Sequence, residues 1–197
     1  NRANQIIANN INDFYTYGIY ALGTSFMEVE GNIIQRPTRT TLSTFYGIYF
    51  TSLSTTATVA KNRISNPCGG DPTNTSAMYG IYLTSVDAFA GVENKFTNNL
   101  IHNFNGSGAS YGIYNTGSDN VFFYHNTISL DGNAPAGTST PITRGFYQTT
   151  QAGGIQFKNN IVSITRGGDG VKHAIYLNTL ASVLDINRNN YFMGSPA

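Results

Sequence analysis

Apolar residues recur along this chain in short groups set around asparagine. Val121 and Phe123 stand two apart ahead of Asn126, and Ile128 follows it. Met27 and Val29, Ile155 and Phe157, and Leu184 and Ile186 repeat that spacing ahead of Asn32, Asn160 and Asn189. The full pattern is apolar-x-x-Asn-x-apolar. It runs Ile6-Asn9-Ile11, Val29-Asn32-Ile34, Val59-Asn62-Ile64, Phe96-Asn99-Ile101, Phe123-Asn126-Ile128, Phe157-Asn160-Val162 and Ile186-Asn189-Tyr191. A period of two marks strands with one face turned to a core. The segments are short, rich in β-branched and aromatic residues, and bounded by Gly, Asn and Ser, which predicts strands and not helices.

A second signature precedes every Asn except the first. Tyr17-Gly18-Ile19-Tyr20 recurs unchanged at Tyr46-Gly47-Ile48-Tyr49, Tyr79-Gly80-Ile81-Tyr82 and Tyr111-Gly112-Ile113-Tyr114. Weaker copies follow at Arg144-Gly145-Phe146-Tyr147 and His173-Ala174-Ile175-Tyr176. Their starts lie 29, 33, 32, 33 and 29 residues apart, a period that marks a solenoid. The Asn follows 15 or 16 residues after the tetrapeptide starts, except in the third copy, where an insertion between Val86 and Asn94 makes it 20. Each repeat thus reads as strand A on the tetrapeptide, strand B before the Asn and strand C after it.

The predicted fold is all-β, a parallel β-helix of about six coils, with each strand paired to its counterpart about 4.8 Å away. Ile19, Ile48, Ile81, Ile113, Phe146 and Ile175 form the expected inward row of strand A. The Asn ladder has a physical cause. Asn tolerates the left-handed backbone of a sharp corner, and its amide can both donate and accept within a stack. By alternation with the inward row, Tyr20, Tyr49, Tyr82, Tyr114, Tyr147 and Tyr176 form an outward column, with Gly at the neighbouring outward position leaving room for each ring. Insertions concentrate between strand C and the next strand A, as at Pro67 to Ala77 and Asp131 to Thr143. The expected domain organisation is one β-helix segment over 1–197. Its uncapped first and last repeats predict a piece of a longer chain, or an assembly whose neighbouring coils or modules cover the ends.

Composition narrows the partners. Charged residues make up 11% of the chain and its formal net charge is +1, against about 25% charged residues in ordinary domains. No basic tract points to nucleic acid. No run of 18 apolar residues points to a membrane span. Cys68 stands alone, so an intrachain disulfide is ruled out.

The Gly-Ile-Tyr strands and Asn corners resemble the right-handed parallel β-helix repeats of the pectin-lyase-like superfamily. The stretches Phe123 to Gly132, Thr143 to Thr150 and Lys158 to Val162 are similar to repeat regions of large bacterial surface proteins exported by the type IX secretion system. That resemblance implies a secreted or cell-surface location. It also implies an enzymatic comparison, yet the Asn-Thr-Asp, Asp-Asp, Gly-His-Gly and Arg-Ile-Lys motifs of polygalacturonase-like members are absent from the sequence.

Candidate chemistry is sparse. Glu28 and Glu30 share a strand, within the separation that glycoside hydrolysis uses, but nothing nearby in sequence raises one pKa. His102, His125 and His173 fall at unrelated repeat positions, which argues against a metal column. Gly167-Gly168-Asp169-Gly170 is one weak copy of a calcium-type turn, and Asn74 and Asn105 begin glycosylation-type triplets. No cofactor or catalytic residue is assigned. The one ligand-binding candidate is the Tyr column, Tyr20, Tyr49, Tyr82, Tyr114, Tyr147 and Tyr176, continued by Thr51, Thr84, Thr116 and Thr149, with glycans or other surface proteins as partners. The expected function is a non-catalytic structural or adhesin-like segment. The alternatives are a polysaccharide lyase or hydrolase and a glycan-binding β-helix.

Overall fold

The computed structural model describes residues 4–52, 55–132 and 142–194. Among these residues there are twenty strands and no helix. They form three parallel sheets, named here after the strands that build them. Sheet A has six strands, from Tyr17–Leu22 to Lys172–Leu177. Sheet B has seven, from Asn4–Ile7 to Leu184–Asn187, and sheet C has seven, from Asn10–Asn12 to Asn190–Met193. The chain visits the sheets in turn, so each strand meets its counterpart from the coil before and the coil after. Parallel strands ordinarily need a long crossover, often a helix. Here the other two sides of the coil serve as the crossover, giving a parallel β-solenoid of about six turns.

Register follows the repeat. In sheet A, Ile19 faces Ile48, which faces Ile81, then Ile113, Phe146 and Ile175. In sheet B the inward row is Ile6, Val29, Val59, Phe96, Phe123, Phe157 and Ile186. In sheet C, Ile11, Ile34, Ile64, Ile101, Ile128, Val162 and Tyr191 align in the same way. The middle members of all three rows are fully buried. Like side chains stack on like along the axis, so the core is three columns wide and continuous from coil to coil.

The Asn ladder closes the corner between sheets B and C. Asn126 shows its wiring. The backbone N–H and the Nδ2 of Asn99 both donate to Asn126 Oδ1, at 3.0 Å each. Asn126 Nδ2 in turn donates to Asn160 Oδ1 at 3.0 Å and back to Phe96 O at 2.9 Å. Two donors and two acceptor sites are therefore all used, which is what a buried amide requires. Asn32, Asn62 and Asn160 repeat the pattern. The left-handed residue of this corner, however, is not the ladder Asn. It is the residue before it: Ala8, Gly31, Lys61, Asn98, His125, Asn159 and Arg188, all with φ between 55° and 67°. A non-Gly residue is disfavoured there, by about 1–2 kcal/mol in steric terms. The ladder offsets that cost, because the left-handed residue's own N–H also bonds across coils, as Lys61 N does to Thr97 O and His125 N to Lys158 O. The corner conformation is thus imposed by a shared hydrogen-bond column, and side-chain preference has little say.

The tetrapeptide departs from simple alternation. The pairing skips Gly18, Gly47, Gly80 and Gly112 in each strand while its neighbours stay in register. At this shared kink the Gly turns inward, not outward as alternation from the Ile row implied. A Cβ on Gly47 would lie 2.5 Å from Ile64 Cγ2 and 2.7 Å from the carbonyl oxygen of Gly80. Sheet A can approach sheet C this closely only where no side chain intervenes. The consequence for the outer surface is large: the first Tyr of the tetrapeptide turns outward along with the fourth, and sheet A carries two Tyr columns.

Two substitutions test this account. Asn126→Ala orphans groups on Asn99, Asn160 and Phe96, and should cost roughly 1–3 kcal/mol per group left buried. Asn9→Ala, at an exposed amide, should cost clearly less by urea denaturation, and equal losses would show that the column is not the clamp. Gly80→Ala places a Cβ 2.6 Å from Gly112 O and 2.8 Å from Ile101 Cδ1, and should destabilise by about 1–3 kcal/mol through overpacking. A Gly153→Ala control, at a glycine without a left-handed backbone, meets only Asp119 Oδ1 at 3.9 Å. If the control were the more damaging of the two, the inward placement of the kink would be wrong.

Candidate functional site

The candidate surface is the outer face of sheet A. The kink sets Tyr17, Tyr46, Tyr79 and Tyr111 in one column and Tyr20, Tyr49, Tyr82, Tyr114, Tyr147 and Tyr176 in the next. Within the second column, successive rings are 4.8–5.2 Å apart between centroids. Within the first, Tyr46, Tyr79 and Tyr111 stack 4.9 Å apart and within 6° of parallel. The columns also touch each other edge to face. Tyr79 meets Tyr82 at 85° and Tyr114 at 84°. Both faces of the Tyr79 ring therefore lie against other rings, and it presents an edge and a hydroxyl outward. Aromatic pairs of this kind contribute about 0.5–1.5 kcal/mol each beyond area burial. The six tyrosines picked out by the repeat are thus brought together as one ribbon, half of whose width the alternation argument did not anticipate.

Packing has an electrostatic signature. Burial pushes the Tyr46 and Tyr114 phenols up to about 12, with neighbouring tyrosines adding to the shift. Tyr79 is raised further for the same reasons. Tyr46, Tyr79 and Tyr114 are therefore neutral across the physiological range, and their hydroxyls remain donors as well as acceptors. Thr51, Thr84 and Thr116 continue it on the far side, half-buried, and Thr116 shares a hydrogen bond with Thr149, 3.1 Å between hydroxyls. Where the tetrapeptide weakens, the first column changes chemistry: Arg144 pairs in register with Tyr111, and His173 with Arg144.

The other candidates are held in local contacts. Glu28 accepts a hydrogen bond from Gln5 Nε2 at 2.7 Å, and Glu30 pairs with Lys61 at 2.7 Å. The two carboxylates are engaged separately and do not form an acid and base facing one ligand. A depression of about 230 Å³ beside Glu28 is lined by Phe26, Met27, Thr56 and Thr58, below the roughly 300–1,000 Å³ of ordinary ligand pockets. His125 occupies the left-handed corner position. In the Gly167–Gly170 turn, Gly168 O accepts from Lys172 Nζ. Asn105 Oδ1 accepts from the Cys68 backbone and Asn74 Oδ1 from that of Ser76, so both triplet asparagines brace their loops. Among the described residues, no group of three His, Cys, Asp or Glu side chains is placed to hold a metal ion. Nor is any helix among them long and apolar enough to cross a membrane.

Sequence reasoning missed two buried arginines. Arg36 donates to the carbonyls of Tyr15, Ser43 and Pro67, which belong to three different coils. Arg166 donates to Gly106 O, Gly108 O and Thr143 Oγ1. Both are fully buried, and burial lowers Arg166 to about 10. They staple the insertions between strand C and strand A to the solenoid. Cys68 lies buried among them, its thiol pushed up to about 11 by burial, which makes it an inert packing group at neutral pH. Each Arg occurs once, outside the repeat, so only its low-charge surroundings could have drawn attention to it.

No protein-family model matches this chain, and no curated protein or solved structure shows significant similarity to it.

The histidines give the fold a pH dependence. Burial, then the nearby Arg63, lowers His102 below its ordinary 6.5, and burial, then Arg144, lowers His173. A folded-state pKa below the unfolded one means that the unfolded chain takes up protons first. Stability is therefore full above 6.5 and declines as pH falls through 6.5 towards the folded values. Urea midpoints should drop between about pH 7.5 and pH 5.5, and His102→Asn should flatten the slope. A slope unchanged by that substitution would remove His102 as its source.

Proposed function

We propose that this chain is a non-catalytic structural segment, adhesin-like in role, of a secreted or cell-surface protein. Its coils fit the right-handed parallel β-helix type of the pectin-lyase-like superfamily, as used in large bacterial surface proteins exported by the type IX system. One observation carries the reading: every specialised side-chain column is engaged with the next coil, Asn at the corner through its amide and Tyr on the face through its ring. Such columns resist bending and shear of one coil against another. They make a stiff spacer from short strands, as expected for a quasi-one-dimensional array.

A second reading has its own support. The outer edges and hydroxyls of the Tyr ribbon, with the Thr row beside it, form a regular donor and acceptor surface that a glycan could follow. Because ring faces are taken up internally, recognition would run through edges and hydroxyls and not through stacking of sugar on ring.

Incubated with polygalacturonate, alginate and neutral glycans, the protein should release neither unsaturated products nor reducing ends above blank. Turnover abolished by one Asp or Glu substitution would overturn the structural reading in favour of a lyase or hydrolase. A glycan array read with the native protein and with Tyr82→Ser separates the second reading: retention lost on that substitution supports a glycan face.

A further inference from the structure

Among the described residues, Arg144 is a buried cation without a counter-ion. It takes the fifth place in the column begun by Tyr17, and it is only 8% exposed. Its guanidinium carbon lies 3.9 Å from the Tyr147 ring centroid and 3.8 Å from that of Tyr176. Contacts this close fix the plane of the guanidinium and leave its N–H edge to find acceptors. None is supplied among the described residues. Nε is sealed from solvent without a partner, and so is the Nδ1 of His173 alongside. The His173 ring is held 4.8 Å from Tyr176.

The absence of a counter-ion is a property of the whole face. All ten acids of the chain lie within the described residues, and no strand of sheet A contains one. The two ion pairs formed among these residues are Lys61 with Glu30 and Lys158 with Asp185. Arg36 and Arg166, buried more deeply still, each leave one donor unpartnered too, Arg36 Nη2 and Arg166 Nε, but they spend the others on backbone carbonyls and the Thr143 hydroxyl. Arg144 does not. A buried charge ordinarily survives only when paired or hydrogen-bonded, so its donors and their fixed plane call for an external acceptor. The phenols of Tyr111 and Tyr114 are close enough to feel its charge, and they offer further O–H donors on the same face.

We propose that Arg144, with His173 beside it, forms an oxyanion-binding site on the tyrosine face, suited to a sulfate or carboxylate group. With Nε sealed, the Nη1–Nη2 edge is the one that can meet two oxygens of such a group in a bidentate pair. The aromatic clamp holds that edge in place before the ligand arrives, so little ordering is lost on binding. The proposal stands apart from the spacer reading: a stiff segment without catalysis can carry this site, and an enzyme could lack it.

Sodium sulfate and sodium acetate, titrated at constant ionic strength against the ¹⁵N-labelled protein, test it. The Arg144 Nη–H resonances should shift saturably, while those of Arg36 and Arg166 stay in place. Sulfate should also raise the thermal midpoint of the native protein by more than that of Arg144→Gln, which keeps only the general stabilisation by this salt. Arg144→Lys keeps the charge but loses the fork, and should bind several-fold more weakly. Dextran sulfate, with unsulfated dextran as its control, distinguishes the source: tighter binding than free sulfate identifies a group carried on a chain, and equal affinity identifies a free ion. A shift that rises without saturation, or one shared equally by all arginines, overturns the site. The native-protein titration decides this even if a variant fails to fold.

Discussion

The hydrogen-bonded Asn column at the corner of sheets B and C is the constraint on which the rest of the coil depends. It does two things at once. It satisfies a buried amide in every interior coil, and it holds the preceding residue in a left-handed conformation that most of its occupants would not choose. With that corner fixed, strands B and C leave at a set angle, and the inward row of each sheet meets its counterpart without slippage. A one-residue slip in any strand would turn its apolar row to solvent, and it would also pull the Asn out of its column. Backbone register and side-chain chemistry therefore enforce the same solution.

Sheet A shows how packing in one direction decides the surface in the other. The Gly of the tetrapeptide lets the sheet press against the Ile row of sheet C. The kink that results breaks alternation, and both tyrosines emerge on one side. The outer ribbon is thus a by-product of a core requirement. Its ring-to-ring contacts then return stability to the coils that carry it.

Much of this was legible in the sequence, because the repeat and the alternation report on backbone geometry. The three strands per coil, the parallel register and all three inward rows follow from the positions of Ile, Val, Phe and Asn. Three features did not follow. The Gly reads as outward under a strict period of two, and only the contact with Ile64 or Ile101 reveals the kink. The left-handed corner position is filled by Ala, Gly, Lys, Asn, His, Asn and Arg, which share no chemistry, since the neighbour's amide imposes the conformation. Arg36, Arg144 and Arg166 are single departures from the repeat, and their significance lies in which acceptors surround them. The six tyrosines of the candidate site were placed correctly on one face; the second column and the arginine that interrupts it needed coordinates.

The Asn ladder also has a direction. Each amide gives its proton towards the later coil and receives one from the earlier coil, so the side-chain dipoles add along the axis instead of cancelling. Chains of hydrogen bonds polarise one another in this arrangement. The column is a vector, and it distinguishes the two senses of the solenoid as a screw thread distinguishes its turns. A coil added in the opposite sense would set donor against donor and acceptor against acceptor at every corner. Parallel growth is therefore written into the chemistry of one side chain, independently of the β-ladders that surround it.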